Sequence, residues 1–176
     1  MDLNYVGAGL ALVTFKTADG STFTAYGSVT AEGSPESEVI EIRGDDQKLA
    51  EFVTEQNESI SLQFNALTFD VLQAITGNNY ASSAEGIEIP VGTDSEQNPP
   101  YVEITAKSLA RSEGGDTGYF YKTWYKCQIK NPQISQSQGS ELAVEMEGLA
   151  YKTSTDVEGN NLSTARTALW RFQANA

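Results

Sequence analysis

The sequence predicts a mainly β fold, an antiparallel β-sandwich or barrel with one short flanking α-helix, and three observations point there. Apolar residues recur mostly with period two, in β-branched and aromatic runs bounded by Gly, Pro, Asn and Asp. One segment alone has helical spacing between a start and a stop signal. Two alternating segments, 101–111 and 119–130, flank a glycine-rich turn at 112–118. Each is roughly twice the usual strand length, which suits a sheet continued between subunits better than it suits a small enzyme.

Taken in order, 10–16 and 22–30 read as strands joined by Thr17-Ala18-Asp19-Gly20, where Asp-Gly is a hairpin signal. Gly27 inside the second run suggests a bulge or a close approach. Ser34-Pro35 is expected to break the run. A third strand at 38–43 carries Val39, Ile40 and Ile42, followed by turn chemistry at Gly44-Asp45-Asp46. Residues 47–56 fit either a helix, through Leu49, Phe52 and Val53, or a strand, through Phe52-Val53-Thr54. In 58–66, Ile60, Leu62, Phe64 and Ala66 alternate with polar residues, as one buried strand face requires.

The helix follows, with Thr68 as N-cap, Asp70 in the first turn and Gly77 at the C-terminal stop. Phe69, Leu72 and Ile75, with Val71, form its apolar stripe. At about eight residues it must dock on a sheet to persist. Residues 78–100 form a long polar loop, punctuated by Ser82-Ser83, Gly86, Pro90, Gly92 and Pro99-Pro100. After the central block come a strand at 141–151, a polar loop at 153–164 and a last strand at 168–172. The whole reads as a single domain, 1–176, with an N-terminal arm at 1–9.

Composition narrows the function. The chain has 176 residues, enough for one packed core, and its eight Tyr, seven Phe and two Trp argue against disorder. Cys127 is the one cysteine, so no intrachain disulfide forms, and a reducing cytoplasmic folding environment fits. The start shows neither a basic n-region nor an apolar h-region, and we expect no signal peptide and no anchor. A net charge of −13 argues against a conventional nucleic-acid binder. The charge is also patterned: 49–106 holds nine acids and no Lys or Arg, while 107–130 holds five bases against two acids. Such regions either meet across neighbouring copies or form a solvated acidic surface.

Catalysis finds no support. The absence of His removes Ser-His-Asp and Cys-His chemistry and the commonest transition-metal ligand. Cys127 has no visible activator and reads as a structural thiol. No phosphate-cradling glycine motif is present. Asp45-Asp46, or Glu141, Glu145 and Glu147, are the acids to weigh as glycosidase or hard-cation groups. Glu145 and Glu147 share one strand face opposite Val144 and Met146, and nothing beside them splits their pKa values. We expect no enzyme, no cofactor and no metal. The run Phe120-Tyr121-Lys122-Thr123-Trp124-Tyr125-Lys126 has the look of a nucleic-acid platform, but it reads better as a strand whose aromatics pack while its lysines reach solvent or a partner. Its register stays open, because a one-residue slip swaps the faces.

The order of elements resembles the major tail tube proteins of long-tailed bacteriophages, the siphophage type above all. The matching landmarks are Glu38-Val39-Ile40-Glu41-Ile42-Arg43-Gly44-Asp45-Asp46, the short helix over 67–77, the hairpin opening at Pro100-Tyr101-Val102, and the strand ending Glu147-Gly148-Leu149-Ala150-Tyr151. The resemblance implies a virion structural protein made in the host cytoplasm. It would form hexameric rings stacked as a hollow tail tube, with sheets of six subunits closing into one barrel and DNA passing through without specific binding. Partners by resemblance are further copies of itself, a tape-measure protein, and terminator or baseplate proteins.

On that reading Glu103, Glu145 and Glu147 are candidate lumen-facing acids. Asn79, Tyr80, Ile87, Ile89 and Val91 are candidate inter-ring contacts, and Lys122, Trp124 and Lys126 are candidate inter-subunit strand residues. The arm 1–9 and the loops 78–100 and 153–164 would bridge rings. The alternatives are a capsid-decoration or tail-terminator protein, or a monomeric carbohydrate-binding or adhesin sandwich using Tyr119, Tyr121, Trp124 and Tyr125 as a sugar platform.

Overall fold

A computed structural model describes residues 5–25, 28–44, 47–66, 68–84, 86–88, 98–112, 117–135 and 143–174. In chain order the strands are β1 (Tyr5–Thr17), β2 (Thr22–Ala25), β3 (Ser28–Gly44) and β4 (Gln47–Phe64), followed by the helix α1 (Phe69–Thr76). Then come β5 (Ala81–Ser83), β6 (Gly86–Glu88), β7 (Val102–Ser112), β8 (Thr117–Ser135) and β9 (Ala143–Tyr151). The chain finishes with β10 (Thr153–Thr155), β11 (Asn161–Arg166) and β12 (Ala168–Ala174). The fold is mainly antiparallel β, with a single short helix among the described residues.

One sheet runs β2-β1-β7-β8-β9-β4-β3, with β12 on β8 off that path. The 19-residue β8 organises it. Its first part, Gly118–Trp124, lies between β7 and β12, and from Cys127 onward β9 takes over the place of β12. Two partners therefore sit end to end along one edge of one strand, and the sheet bends there. A register irregularity in the β7–β8 ladder, between Val102↔Cys127 and Ile104↔Trp124, marks the bend.

The inward face holds Val13, Phe15, Ile60, Leu62, Phe64, Ile104, Trp124 and Met146, all at most 2% exposed. Phe15 and Phe64 meet with ring centroids 6.1 Å apart. Burying each such large side chain contributes about 1.5–3 kcal/mol, which offsets the ordering of so many residues into long strands. α1 packs against β1, β2 and β8 through Val71, Leu72 and Ile75. Thr68 Oγ1 accepts from Val71 N at 3.4 Å, and Gly77 stops the helix at φ 74° while its N–H donates to Gln73 O. Phe69 lies outside the buried stripe, 38% exposed, and pairs with Tyr80. Ala66 is likewise exposed, beyond the end of β4.

Several expectations change. The run 22–30 is two strands: β2 pairs with β1, while β3 starts at Ser28 and pairs with β4. Gly27 lies outside the described residues, as do Asp45 and Asp46. Pro35 does not break β3; it faces Glu58 in a continuous ladder. β3 is the last strand of the sheet, and an edge strand tolerates a residue that donates no hydrogen bond. Residues 47–56 are strand, because they pair with β3 along their length, with two register irregularities, and run on into the core strand that follows. Residues 5–9, expected in a free arm, belong to β1 and pair with β7 from Tyr5↔Ser112. The polar loops contain small hairpins, β5–β6 in one and β10–β11 in the other.

Candidate functional site

Three surfaces and one buried ion pair carry the polar chemistry. The first surface is acidic. Register places Glu147 of β9 beside Lys130 of β8 and Ser61 of β4, with Glu32 of β3 beyond Ser61. Glu145 lies between Gln133 and Gln63, and Gln63 Nε2 donates to it at 3.4 Å. Glu36 completes the face, accepting a hydrogen bond from Ser59. Glu32, Glu36, Glu145 and Glu147 are exposed, while Val144 and Met146, their counterparts on β9, are buried at 1%. The alternation read from the sequence is the one observed.

Glu103 does not join them. It pairs in register with Lys16 of β1, on a part of the sheet separated from β9 by β8. Burial raises its carboxyl above the usual range, Lys16 pulls it back, and Asp156 and Glu158 push it up again. Lys16 is bound to Glu158, which raises the amine.

The second surface is basic and aromatic. Tyr119 and Tyr121 of β8 sit in register with Leu109 and Lys107 of β7 and with Gln173 and Arg171 of β12. Lys107 Nζ lies 3.7 Å from the Tyr119 ring centroid, and the Arg171 guanidinium lies 4.8 Å from that of Tyr121. Arg111 and Leu169 extend the same face. Sequence reading named Tyr119 and Tyr121 only for a sugar platform with Trp124 and Tyr125 and did not find this joined face, because it spans three strands whose register the sequence left open. The signal was there in the equal parity of Tyr119 and Tyr121.

Lys122 and Trp124 have the opposite parity and point inward. Trp124 is fully buried, so it belongs neither to an exposed sugar platform nor to an open strand face. Lys122 forms an ion pair with Glu58, at 12% and 6% side-chain exposure, and lies 4.6 Å from the Trp124 ring. The pair fits because Gly33 has no Cβ: one built there would come within 2.9 Å of Lys122 Nζ. Trp170 covers the lysine from outside, 5.2 Å away and 67% exposed. Lys126 diverges from both at the bend, its Nζ stacking 4.4 Å over Tyr101. There it borders a cavity of about 670 Å³ between α1 and the turns after β1 and β10, walled by Phe23, Ala74 and Tyr101.

The third surface is a two-stranded arm. β4 pairs with β9 only from Asn57 onward, so among the described residues Ser37–Gly44 and Gln47–Gln56 pair only with each other. At about 3.3 Å per residue, the eight residues of the β3 side reach roughly 25 Å. Register places Ile40 opposite Phe52 and Ile42 opposite Ala50, on one face. It places Glu41 opposite Glu51, and Glu38 opposite Glu55 beside a bulge. Like charges directly across a ladder are unfavourable.

Of the loop residues, Asn79 accepts from Gln73 Nε2 at 2.8 Å, and Tyr80 donates to Asp70 at 3.1 Å; both are exposed. That bond raises the Tyr80 phenol. Ile87 lies in β6, paired with Ser82. Ile89 and Val91 lie outside the described residues, as does Glu141. Cys127 is fully buried, and burial pushes its thiol well above the usual range, with Glu103 and Glu58 adding to the effect. Among the described residues, no cluster of His, Cys, Asp or Glu is arranged to hold a metal ion. No helix among them is long and apolar enough to cross a membrane.

No family model matches the chain, and no curated protein does. Among solved structures it is similar to a chain in the cryo-EM structure of the anti-feeding prophage (AFP) baseplate, 6-fold symmetrised. The TM-score is 0.46 at 13% identity, covering 87% of this chain and 95% of that one. A TM-score below 0.5 does not establish a shared fold.

Proposed function

We propose that the chain is a structural subunit of a phage-like tail, self-assembling into hexameric rings stacked as the hollow tube through which DNA leaves. The observation that carries this reading is the arm formed by β3 and β4. A long two-stranded ribbon with no third strand paired to it among the described residues is a liability in a monomer and an asset in an assembly. The free edges agree with it. Among the described residues β3 and β12 each have a single partner, and β2 covers only Val13–Lys16 of β1. Edges that long are removed when sheets of neighbouring copies close into a barrel. The resemblance in element order supports the same reading.

The face bearing Glu32, Glu36, Glu145 and Glu147 is the candidate bore, since a polyanion passes best along a wall that repels it. Glu103, paired to Lys16 elsewhere on the sheet, is not assigned there. The role is structural, with no catalytic step. Partners beyond further copies are tape-measure and terminator or baseplate proteins, and the location is the virion.

Negative-stain microscopy of the purified protein, and of particles containing it, tests the reading. Six-fold rings or tubes are expected. Particles whose tail tube lacks this chain would overturn it. Deleting 82–96 is expected to leave the β-fold intact and stop tube growth at rings, so normal tubes from that deletion would remove the inter-ring role of Asn79, Tyr80, Ile87, Ile89 and Val91.

A further inference from the structure

We infer that the recess between α1 and the turns after β1 and β10 receives the cationic tyrosine face of β7, β8 and β12 from a second copy of this chain. The inference rests on the reading that the chain self-assembles, and it names two surfaces that meet. Exposed apolar groups mark both. Among the described residues the exposed large hydrophobic side chains are Phe69, Tyr80, Tyr101, Leu169 and Trp170. Tyr101 lines the recess of about 670 Å³, and Tyr80, beside Phe69, donates to Asp70, which lines it too. Leu169 shares its strand face with Arg171, while Trp170 points the other way, over Lys122. Exposed apolar groups gathered in a patch mark a contact surface, whereas scattered ones do not.

Charge divides the same way. Asp19, Asp70 and Asp156 line the recess together with Phe23 and Tyr101, against one cation, Lys126, held 4.4 Å over the Tyr101 ring. Acids and apolar walls therefore face one space. Among the described residues, the rows around Tyr119 and Tyr121 carry Lys107, Arg111 and Arg171 and no acid. Lys107 and Arg171 already lie on tyrosine rings, so little side-chain freedom is lost when an acid arrives. β7 holds the two surfaces apart. Tyr101, just before it, borders the recess, and Arg111 lies near its far end, roughly 33 Å away at about 3.3 Å per residue. A recess therefore takes the face of the next copy, not its own. Such a head-to-tail contact is heterologous, and its repetition generates a ring or a filament, whereas a two-fold contact stops at a dimer.

Charge reversal tests this directly. Lys107→Glu with Arg171→Glu reverses the face, and Asp70→Lys with Gln73→Lys makes the recess basic. None of the four belongs to the buried core, and an unchanged circular-dichroism melt confirms folding. Each reversed protein alone is expected to need at least about tenfold more protein to associate, measured by sedimentation velocity, with less difference at high salt. Mixed, the two are expected to associate like the original, because each recess then finds a face of opposite sign on the other protein. A second readout changes no charge and decides the matter if a reversed protein melts early. Tyr101→Cys on one copy and Leu169→Cys on another are expected to be joined by a short bismaleimide in the mixture and in neither protein alone, since Cys127 is buried. Normal association of either reversed protein, no recovery on mixing two folded reversed proteins, or no joined pair would each overturn the inference. An unaltered protein that stays monomeric overturns the contact alone, since particles decide the tube. If association follows the reversals but yields no six-fold rings, the tube reading fails and the contact stands. If tubes form regardless of the reversals, the contact fails and the tube reading stands.

Discussion

Glu58 of β4 and Lys122 of β8 form an ion pair inside the curled sheet, in a slot opened by Gly33 and covered by Trp170. It ties the β3–β4 edge to the part of β8 that carries β12, across the bend in the sheet. Removing one charge strands the other away from water, so Glu58→Gln or Lys122→Met alone is expected to cost about 3–5 kcal/mol in urea unfolding. Replacing both, Glu58→Leu with Lys122→Met, is expected to cost far less than the sum. Additive losses would show that the pair is not coupled.

Gly33 tests the same slot from the other side. A Cβ there meets the Glu58 carboxyl group, 2.9 Å from Cδ, so Gly33→Ala is expected to displace the pair and cost about 1–3 kcal/mol. In the Glu58→Leu, Lys122→Met background the cost is expected to change, because the obstructing groups have changed. Unfolding midpoints of the four proteins decide it.

The helix has two separable locks. Thr68→Ala removes the acceptor for Val71 N, and Gly77→Ala forces a side chain into φ 74°. Each is expected to cost about 1 kcal/mol, and together about twice that, since they act at opposite ends. Thermal unfolding checks both.

Two acids give opposite slopes of stability with pH. Glu103 is raised chiefly by burial, so the folded chain holds its proton more tightly than the unfolded one. Stability therefore falls as pH rises from the ordinary glutamate value through the raised one, and Glu103→Gln is expected to flatten that fall. Asp19 is lowered by hydrogen bonds from Thr17 and Ser21. Its contribution is present above the ordinary aspartate value and is lost as pH falls through the lowered one. Asp19→Asn is expected to remove that acid-side loss. Melting temperature against pH for the three proteins checks both signs.

Cys127 is expected to be inert toward an aromatic disulfide reagent in the folded protein and to react fully in denaturant, since the thiolate is the reactive form and burial suppresses it. Fast labelling of the native protein would contradict the packing around Trp124 and Ile104.

Local patterns were legible wherever one strand face meets the core. Glu145 and Glu147 against Val144 and Met146, and the caps Thr68 and Gly77, needed only the period of a strand and the orphan groups of a helix. Pro35 misled because proline breaks a central strand and not an edge strand, and edge position is a property of the whole sheet. Lys122 and Trp124 lie inward rather than on an open strand face, because the parity of β8 depends on its pairing with β7. The arm went unseen because the same residues 37–56 read as separate pieces until the register joined them.

The sequence by itself determined a β-rich chain with one helix, the absence of histidine chemistry, an acidic face on β9 and a charge distribution divided along the chain. Period and composition are enough for those, since each depends on a residue and its neighbours. Tertiary structure alone decided that 101–130 contributes a packed tryptophan and a buried lysine on one side and a cationic tyrosine surface on the other. It also decided that β3 and β4 outrun the body. Both depend on which strands lie side by side, and strand register is fixed by contacts between residues far apart in sequence.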